Sequence, residues 1–190
     1  MGAVAAGCAE ARGLLQPLLL QATARLDCAA DLRVPDLGLT WTSPALRRVL
    51  AGAERVTVFA GTVGGAISDA ARAAFSAGEY TRAVVLDACG SAAVRALSEQ
   101  VRSQAEPGYG ATAPYSPGYE GWDITDTAGI LRALQARRIG LFLSEAHYLV
   151  PEKSFCGVIG WVRGGAEAAY GCAVCRLAGC RYRRREVVLA

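Results

Sequence analysis

The chain has 190 residues, of which 53% are hydrophobic and 19% are charged, and its formal net charge is +3. This composition excludes an intrinsically disordered chain, and the length suits one domain with a single hydrophobic core. The charge is small and no basic patch is interleaved with aromatic residues, which argues against a nucleic-acid-binding protein, and no apolar run reaches membrane-spanning length.

The first 45 residues are predicted to form a mainly helical segment. Alanine and leucine dominate residues 5–30, and the leucines recur at helical spacing, so we expect one long helix there. Cys8 and Cys28 fall within it and are predicted to be small core residues. Charged residues interrupt the apolar stretch and no basic segment precedes it, so we expect no signal peptide and a cytoplasmic location.

Two strands and three helices are predicted between residues 35 and 104. We expect a strand at 35–41, a short helix from Pro44 to Leu50 capped by Ser43, a strand at 54–60, a helix ending near Ser76, and the longest helix at 79–104. Small residues from Cys89 to Ala93 predict close packing of the longest helix against another element. This helix is therefore expected to be the buried spine of the domain.

The stretch from Pro114 to Asp126 combines prolines, glycines, aromatic residues and acids without apolar periodicity. Its prolines fix φ, and its glycines allow a close approach of the backbone or a positive φ. Helical spacing then begins and continues over residues 126–138, so the loop is expected to lie at a helix N-terminus, which offers free amides and a positive dipole end. A plain connection in which Thr125 or Asp126 is only an N-cap is the alternative.

The remaining strands are predicted at 141–143 and 156–162, around a loop that contains the sole histidine, His147. Helices and strands do not follow a regular βαβ alternation, which favours an α+β fold over a doubly wound sheet. No internal repeat or linker is visible. We therefore expect one domain over residues 1–190.

Four segments resemble, in the same order, the activation (reactivation) domain of cobalamin-dependent methionine synthase, and especially its small stand-alone forms. They are Phe59 to Gly64, Gly78 to Ala93, Ser116 to Asp123 and Ser144 to Gly160. The third contains Ser-Pro-Gly-Tyr followed by Gly-Trp-Asp and a helix, which is similar to the S-adenosylmethionine loop of that family. The resemblance covers residues 45–185 and implies a twisted antiparallel sheet flanked by helices.

By this resemblance, the central loop carries an S-adenosylmethionine site. The ligand has a sulfonium cation, so its site needs aromatic faces or carboxylates near that cation, and amides or a basic group for its carboxylate. Tyr170 falls roughly where the family has a tyrosine near the ligand, although a tyrosine at the edge of the core is the alternative. The candidate ligand-binding residues are Tyr115, Ser116, Pro117, Gly118, Tyr119, Trp122, Asp123 and Tyr170.

One position departs from the family. The family has an arginine four residues before the glycine of the turn, and this chain has Pro114 there, with no arginine between Arg102 and Arg132. Either another basic group, such as Lys153 or an arginine of the tail, meets the carboxylate of the ligand, or binding is weakened or lost.

The resemblance implies that the chain reactivates the cobalamin of a partner enzyme. In this family the domain docks over inactive cob(II)alamin and presents the methyl group of S-adenosylmethionine to cobalt, while an electron donor such as flavodoxin reduces the metal. The protein contributes positioning, so we expect no catalytic residue and a component of methyltransferase activity rather than a complete enzyme. The expected partner is methionine synthase or another corrinoid protein. Since the partner supplies the histidine that ligates cobalt, His147 is expected to be a surface residue.

The Cys/Arg-rich tail, residues 171–190, is the second unusual stretch. Cys172 and Cys175 have the spacing of a metal-binding pair and Cys180 can add a third ligand, although zinc or an iron–sulfur cluster normally takes four protein ligands. The stand-alone forms of the family have a similar cysteine pattern at their ends. Reduced thiols packed against the sheet and a redox-active dithiol are the alternatives.

Two other functions compete with S-adenosylmethionine-dependent reactivation. A metal- or cluster-bearing redox module could reduce a corrinoid protein without S-adenosylmethionine, and both Pro114 and the cysteine tail favour it. A binding protein could cap the corrinoid partner without chemistry. Titration with S-adenosylmethionine separates the first function from the others, and metal analysis separates the second from the third.

Overall fold

A computed structural model of the chain describes residues 2–104, 107–166 and 168. Within these ranges the α-helices are α1 (Gly2–Leu14), α2 (Pro44–Val49), α3 (Ala66–Ser76), α4 (Tyr80–Arg102) and α5 (Thr127–Ala133). The strands are β1 (Leu18–Arg25), β2 (Leu32–Val34), β3 (Leu39–Trp41), β4 (Arg55–Thr62), β5 (Tyr109–Ala111), β6 (Phe142–Leu143), β7 (Leu149–Val150) and β8 (Ser154–Arg163). Short 3-10 helices cover Pro35–Leu37, Ile124–Asp126 and Ala136–Ile139.

Four strands form an antiparallel sheet in the order β1-β4-β8-β5. The central strands β4 and β8 pair from Arg55 opposite Trp161 to Thr62 opposite Ser154. Both are buried over most of their length, which explains why their sequences are runs of apolar and small residues rather than an alternating pattern. The hairpins β2–β3 and β6–β7 lie outside this sheet.

One face of the sheet, called here the helix face, is covered by α1, α3 and α4. Phe59 of β4 and Ile159 of β8 belong to an apolar cluster with Val101 of α4. A neighbouring cluster joins Ile67 of α3 to Leu86 of α4. Contacts between long regular helices and alternate side chains of the two central strands therefore build this layer.

The opposite face, called here the loop face, is covered by α2, α5 and the β2–β3 hairpin. Val58 of β4 and Val158 of β8 share an apolar cluster with Leu46, Trp122 and Ile130. The sheet thus lies between two layers that contain helices, and the predicted α+β class with an antiparallel sheet flanked by helices is confirmed. None of the helices in the described part of the chain has the length and hydropathy that a bilayer crossing requires.

The prediction of one N-terminal helix is wrong. α1 ends at Leu14, and the leucines from Leu18 to Leu20 belong to the edge strand β1, in which Leu18 is exposed and Leu20 is buried. Pro17 explains the break, since proline disfavours a helical conformation in the preceding residue and has no amide to donate. The first 45 residues also contain β2 and β3, and Cys28 is exposed rather than a core residue.

Other boundaries differ from prediction for local reasons. The helix expected at 126–138 is interrupted at Gln135, whose φ of 52° is left-handed, so α5 ends at Ala133. Of the strand expected at 35–41, only the last three residues are extended, and β5 was not predicted. The short helix after Ser43 is confirmed, with the Ser43 hydroxyl oxygen accepting a hydrogen bond from the Leu46 amide at 3.0 Å.

Candidate functional site

A cleft of about 430 Å³ lies on the loop face, beside the central loop. Its walls come from the central loop, the N-terminus of α5, the β6–β7 hairpin and the beginning of β8. The lining residues are Ser116, Pro117, Tyr119, Ile124, Thr127, His147, Tyr148, Leu149, Glu152, Ser154, Phe155 and Cys156. The cleft therefore brings three of the predicted ligand-binding residues together with elements that lie further along the chain.

Two consecutive reverse turns shape the central loop. In the first, Pro117 and Gly118 occupy the central positions, and the Tyr119 amide donates to the Ser116 carbonyl at 3.1 Å. Gly118 has φ of 89°, the positive value that a type II turn requires at its third position. In the second turn Gly121 takes the same position with φ of 79°, and the amide of Trp122 closes the turn. Gly118 and Gly121, three residues apart in the sequence, therefore occupy the same position in two successive turns.

Backbone hydrogen bonds attach this loop to the central strand β8. The Tyr115 amide donates to the Val158 carbonyl at 3.0 Å, and the Val158 amide donates to the Tyr115 carbonyl at 2.8 Å. The approach depends on Gly157, since a Cβ there would overlap the Tyr115 carbonyl oxygen and lie 3.0 Å from the Ser116 hydroxyl oxygen. A glycine inside a strand is a known signal of close backbone approach.

Trp122 anchors the loop in the core. Its side chain is only 2% exposed, stacks on Tyr115 with 6.0 Å between ring centroids, and meets Trp41 edge-on at 5.6 Å. Its indole nitrogen donates to an Asp126 carboxylate oxygen at 2.7 Å. The proposal that Trp122 offers an aromatic face to a ligand does not fit this burial, because protein covers the ring.

The two tyrosines of the loop have different surroundings. Tyr115 is half-buried against Trp122, and its hydroxyl donates to the Glu120 carbonyl. Tyr119 is 57% exposed, meets Tyr115 edge-on with 5.5 Å between centroids, and lines the cleft. Among the described residues of the predicted set, Tyr119 is therefore the aromatic residue that lines the cleft.

Asp123 is a cap rather than a wall of the cleft. Its carboxylate accepts hydrogen bonds from the amide and hydroxyl of Thr125, at 2.8 and 2.7 Å. These bonds, the amide first, hold the pKa of Asp123 below its ordinary value. The same geometry begins the 3-10 helix that leads into α5.

Nine of the twelve wall residues were not predicted as ligand-binding, among them Tyr148 and Glu152 beside the hairpin, and Phe155 and Cys156 of β8. Burial raises the pKa of Cys156 to about 12, with a Thr127 hydrogen bond opposing the shift, so this side chain remains a neutral thiol. His147 lies on the surface, as expected, at the rim of the cleft with φ of 60°. In the sequence, the signals for this side of the cleft were His147 in a predicted loop and the resemblance of the segment from Ser144 to Gly160 to the family.

Lys153 does not supply the missing positive charge. Its ammonium pairs with Asp87 at 2.6 Å and donates to the Ser91 hydroxyl at 3.0 Å, both on α4. Gly90 leaves room for the lysine stem, because a Cβ there would lie 3.3 Å from it. Among the described residues that line the cleft, His147 is therefore the basic side chain.

The cysteine tail and Tyr170 lie outside the described residues, so the predicted metal ligands Cys172, Cys175 and Cys180 remain predictions. Within residues 2–104, 107–166 and 168, no group of three or more potential metal-ligating side chains comes together. A larger cleft of about 630 Å³ lies at the C-terminal end of α5, but residues of the central loop do not line it.

No family model and no curated protein matches the chain. Solved structures do match, among them the crystal structure of the MetH reactivation domain bound to AdoHcy. The two chains are 14% identical with a TM-score of 0.64, and the match covers 88% of this chain and 66% of the other. At this identity the likeness shows that the two chains share a fold.

Proposed function

We propose that the chain binds S-adenosylmethionine in the cleft of the central loop and serves as an accessory reactivation protein for a cobalamin-dependent methyltransferase. The observation that carries the proposal is the Ser116–Tyr119 turn, which lines a cleft and directly follows Tyr115, the residue that is hydrogen-bonded to β8. It occurs on a fold shared with a reactivation domain whose structure contains AdoHcy. Methionine synthase is the first partner to test, and another corrinoid protein is the alternative.

The chemistry of the cleft suits the proposed ligand. Its volume lies within the roughly 300–1,000 Å³ typical of small-molecule sites. Tyr119 and Tyr148 offer exposed aromatic rings, which attract a sulfonium cation, whereas the Glu152 carboxylate is already paired with Arg72 of α3 at 3.3 Å. His147 is the candidate partner for the carboxylate of the ligand, in the role that Pro114 cannot fill.

S-adenosylmethionine supplies an activated methyl group, so the residues of this chain need only bind and orient it. The turn lines the cleft through Ser116, Pro117 and Tyr119, and the buried, apolar side chain of Cys156 in β8 lies opposite them. The Cys156 thiol stays protonated well above neutral pH, so it does not compete for the methyl group as a thiolate. Positioning is therefore the contribution of the protein.

Isothermal titration calorimetry with S-adenosylmethionine tests binding directly. We expect saturable one-to-one binding that is weakened by Tyr119→Ala and retained by Phe75→Ala, a change of an exposed aromatic residue on α3. Reactivation is tested separately with a cobalamin-dependent methionine synthase, a reductant and S-adenosylmethionine labelled in its methyl group. Transfer of the label to the corrinoid supports the proposed role, and binding without transfer would restrict the proposal to ligand binding.

The cysteine tail keeps one alternative open, a redox module that carries a metal or cluster. Its support is the spacing of Cys172, Cys175 and Cys180 together with a cleft whose described walls contain neither lysine nor arginine. Metal analysis and the visible spectrum of anaerobically purified protein decide this alternative. Stoichiometric zinc or iron with no binding of S-adenosylmethionine would favour it over the first proposal.

A further inference from the structure

A pair of thiols lies on the helix face, away from the cleft. The Sγ atoms of Cys8 in α1 and Cys89 in α4 are 3.8 Å apart, and the Cys89 thiol donates a hydrogen bond to the Cys8 sulfur. Both residues are partly exposed, so small reagents can reach them. They are separated by 81 positions in the sequence and meet only because the two helices pack together.

The packing of α1 on α4 fixes the position of this pair from both sides. Next to Cys8, a Cβ on Gly7 would lie only 2.7 Å from a Val85 methyl carbon, so the helices approach closely there. On the other side of Cys8, Glu10 pairs with Arg82 at 2.5 Å. The thiols are therefore held close together before any reaction occurs.

We propose that Cys8 and Cys89 form a reversible intramolecular disulfide when the chain meets a low-molecular-weight disulfide. The Cys8 thiolate attacks one sulfur of the small disulfide, which releases a thiolate and leaves a mixed disulfide on Cys8. The Cys89 thiol then loses its proton and attacks the Cys8 sulfur, which releases the second small thiolate. Two protein thiols are oxidised and one small disulfide is reduced to two thiols.

The geometry accommodates this bond with small movements. A disulfide requires an S–S distance of about 2.05 Å, so the sulfur atoms, 3.8 Å apart in the reduced chain, must approach by less than 2 Å. The Cys89 thiol donates its hydrogen to the Cys8 sulfur, and burial and this bond raise the pKa of Cys89, so Cys89 keeps its proton until the resolving step. The site is thus built for oxidation of the pair rather than of either cysteine alone.

Peptide mapping of the full chain tests the proposal. The protein is incubated with glutathione disulfide, its free thiols are alkylated, and it is digested with trypsin without reduction. We expect a linked species that joins residues 1–12 to residues 83–95, and its loss on reduction. Cys8→Ser and Cys89→Ser should abolish it, whereas Cys28→Ser, which removes an exposed cysteine elsewhere, should not.

Because the linked peptides identify both cysteines, disulfides formed by the tail cannot be mistaken for this one. Recovery of both peptides in alkylated form, or linked only to glutathione or to other cysteines, would overturn the proposal. The second readout is stability, since the cross-link restricts the unfolded chain. The oxidised protein should melt roughly 5–10 °C above the reduced protein, and Cys8→Ser should remove the gain. A lower melting temperature after cross-linking would contradict a bond that the folded geometry accommodates.

Discussion

The helix face and the loop face of the two central strands are covered by different kinds of structure. On the helix face, α3 and α4 bury apolar side chains such as Ile67 and Leu86 against each other and beside the sheet. On the loop face beside the cleft, the irregular central loop is held by two backbone hydrogen bonds between Tyr115 and Val158 and by the buried ring of Trp122. The first arrangement depends on apolar area, and the second depends on turn geometry and close backbone approach.

The two faces therefore contribute differently to the free energy of unfolding and to ligand binding. Burial of side chains such as Ile67 and Leu86 on the helix face contributes to the free energy of unfolding, and neither side chain lines the cleft, although Arg72 of α3 pairs with the cleft residue Glu152. The loop face contributes less regular packing, yet the predicted ligand-binding residues that line the cleft, Ser116, Pro117 and Tyr119, lie there. Mutations on the helix face should therefore change stability alone, and mutations on the loop face should change binding as well.

The largest expected effect comes from removing the anchor of the loop. Trp122→Ala should lower the free energy of unfolding by about 3–5 kcal/mol, as for other buried aromatic residues, and should also abolish detectable binding of S-adenosylmethionine. Urea unfolding and calorimetric titration measure the two effects. The matched change on the helix face is Leu86→Ala, for which we expect a loss of about 2–5 kcal/mol with unchanged affinity. Equal effects of the two variants on affinity would remove the distinction between the faces.

A smaller effect is expected when the loop is pushed away from β8. Gly157→Ala places a methyl group against the Tyr115 carbonyl oxygen, so it should cost about 1–3 kcal/mol of stability and weaken ligand binding. Gly13→Ala is the control, since a Cβ at Gly13 in α1 meets no other atom within 4 Å. Unaltered affinity in Gly157→Ala would show that the approach of the loop to β8 does not shape the binding site.

Next in size is the loss of an exposed ring that lines the cleft. Tyr119→Ala should weaken S-adenosylmethionine binding roughly 2- to 5-fold, which corresponds to a cation–π contact at an exposed site, with little change in stability. Tyr119→Phe keeps the ring and should keep most of the affinity. If both variants bind as tightly as the unmodified chain, the sulfonium does not lie against this ring.

The smallest effect concerns the cap at Asp123. Hydrogen bonds from Thr125 lower the pKa of Asp123, so its contribution to stability is present above the ordinary aspartate pKa and is lost as the pH falls through its lower folded value. Asp123→Ala should therefore unfold at slightly lower urea concentration at neutral pH, and the difference should shrink towards about pH 3. A difference that is independent of pH would mean that the carboxylate charge is not its source.

Regular elements could be predicted from sequence because periodicity records which face is buried. The spacing of apolar residues located α3 and α4, and Ser43-Pro44 located the beginning of α2. The same rule failed after Leu14, where leucine spacing fits both a helix and the edge strand β1, and Pro17 was the deciding signal. Local pattern is ambiguous wherever tertiary pairing decides between two conformations.

Only one side of the candidate site could be predicted from the sequence. Glycine and proline spacing indicated the turn around Gly118, because turns need particular φ values at particular residues. The opposite wall, with Tyr148 and Glu152, comes from a hairpin whose approach to the loop depends on long-range packing. Sequence spacing carries no record of that approach, nor of the contact that turns Lys153 towards α4.

Photolabelling with radioactive S-adenosylmethionine, followed by tryptic mapping, tests the location of the site most directly. We expect saturable labelling of the peptide that covers residues 103–132, which contains the whole central loop, and in Tyr119→Ala a weaker label at ligand concentrations below saturation. Saturable label on residues 83–95 of α4, or no saturable label on residues 103–132 and 139–163, which together line the cleft, would contradict binding in this cleft.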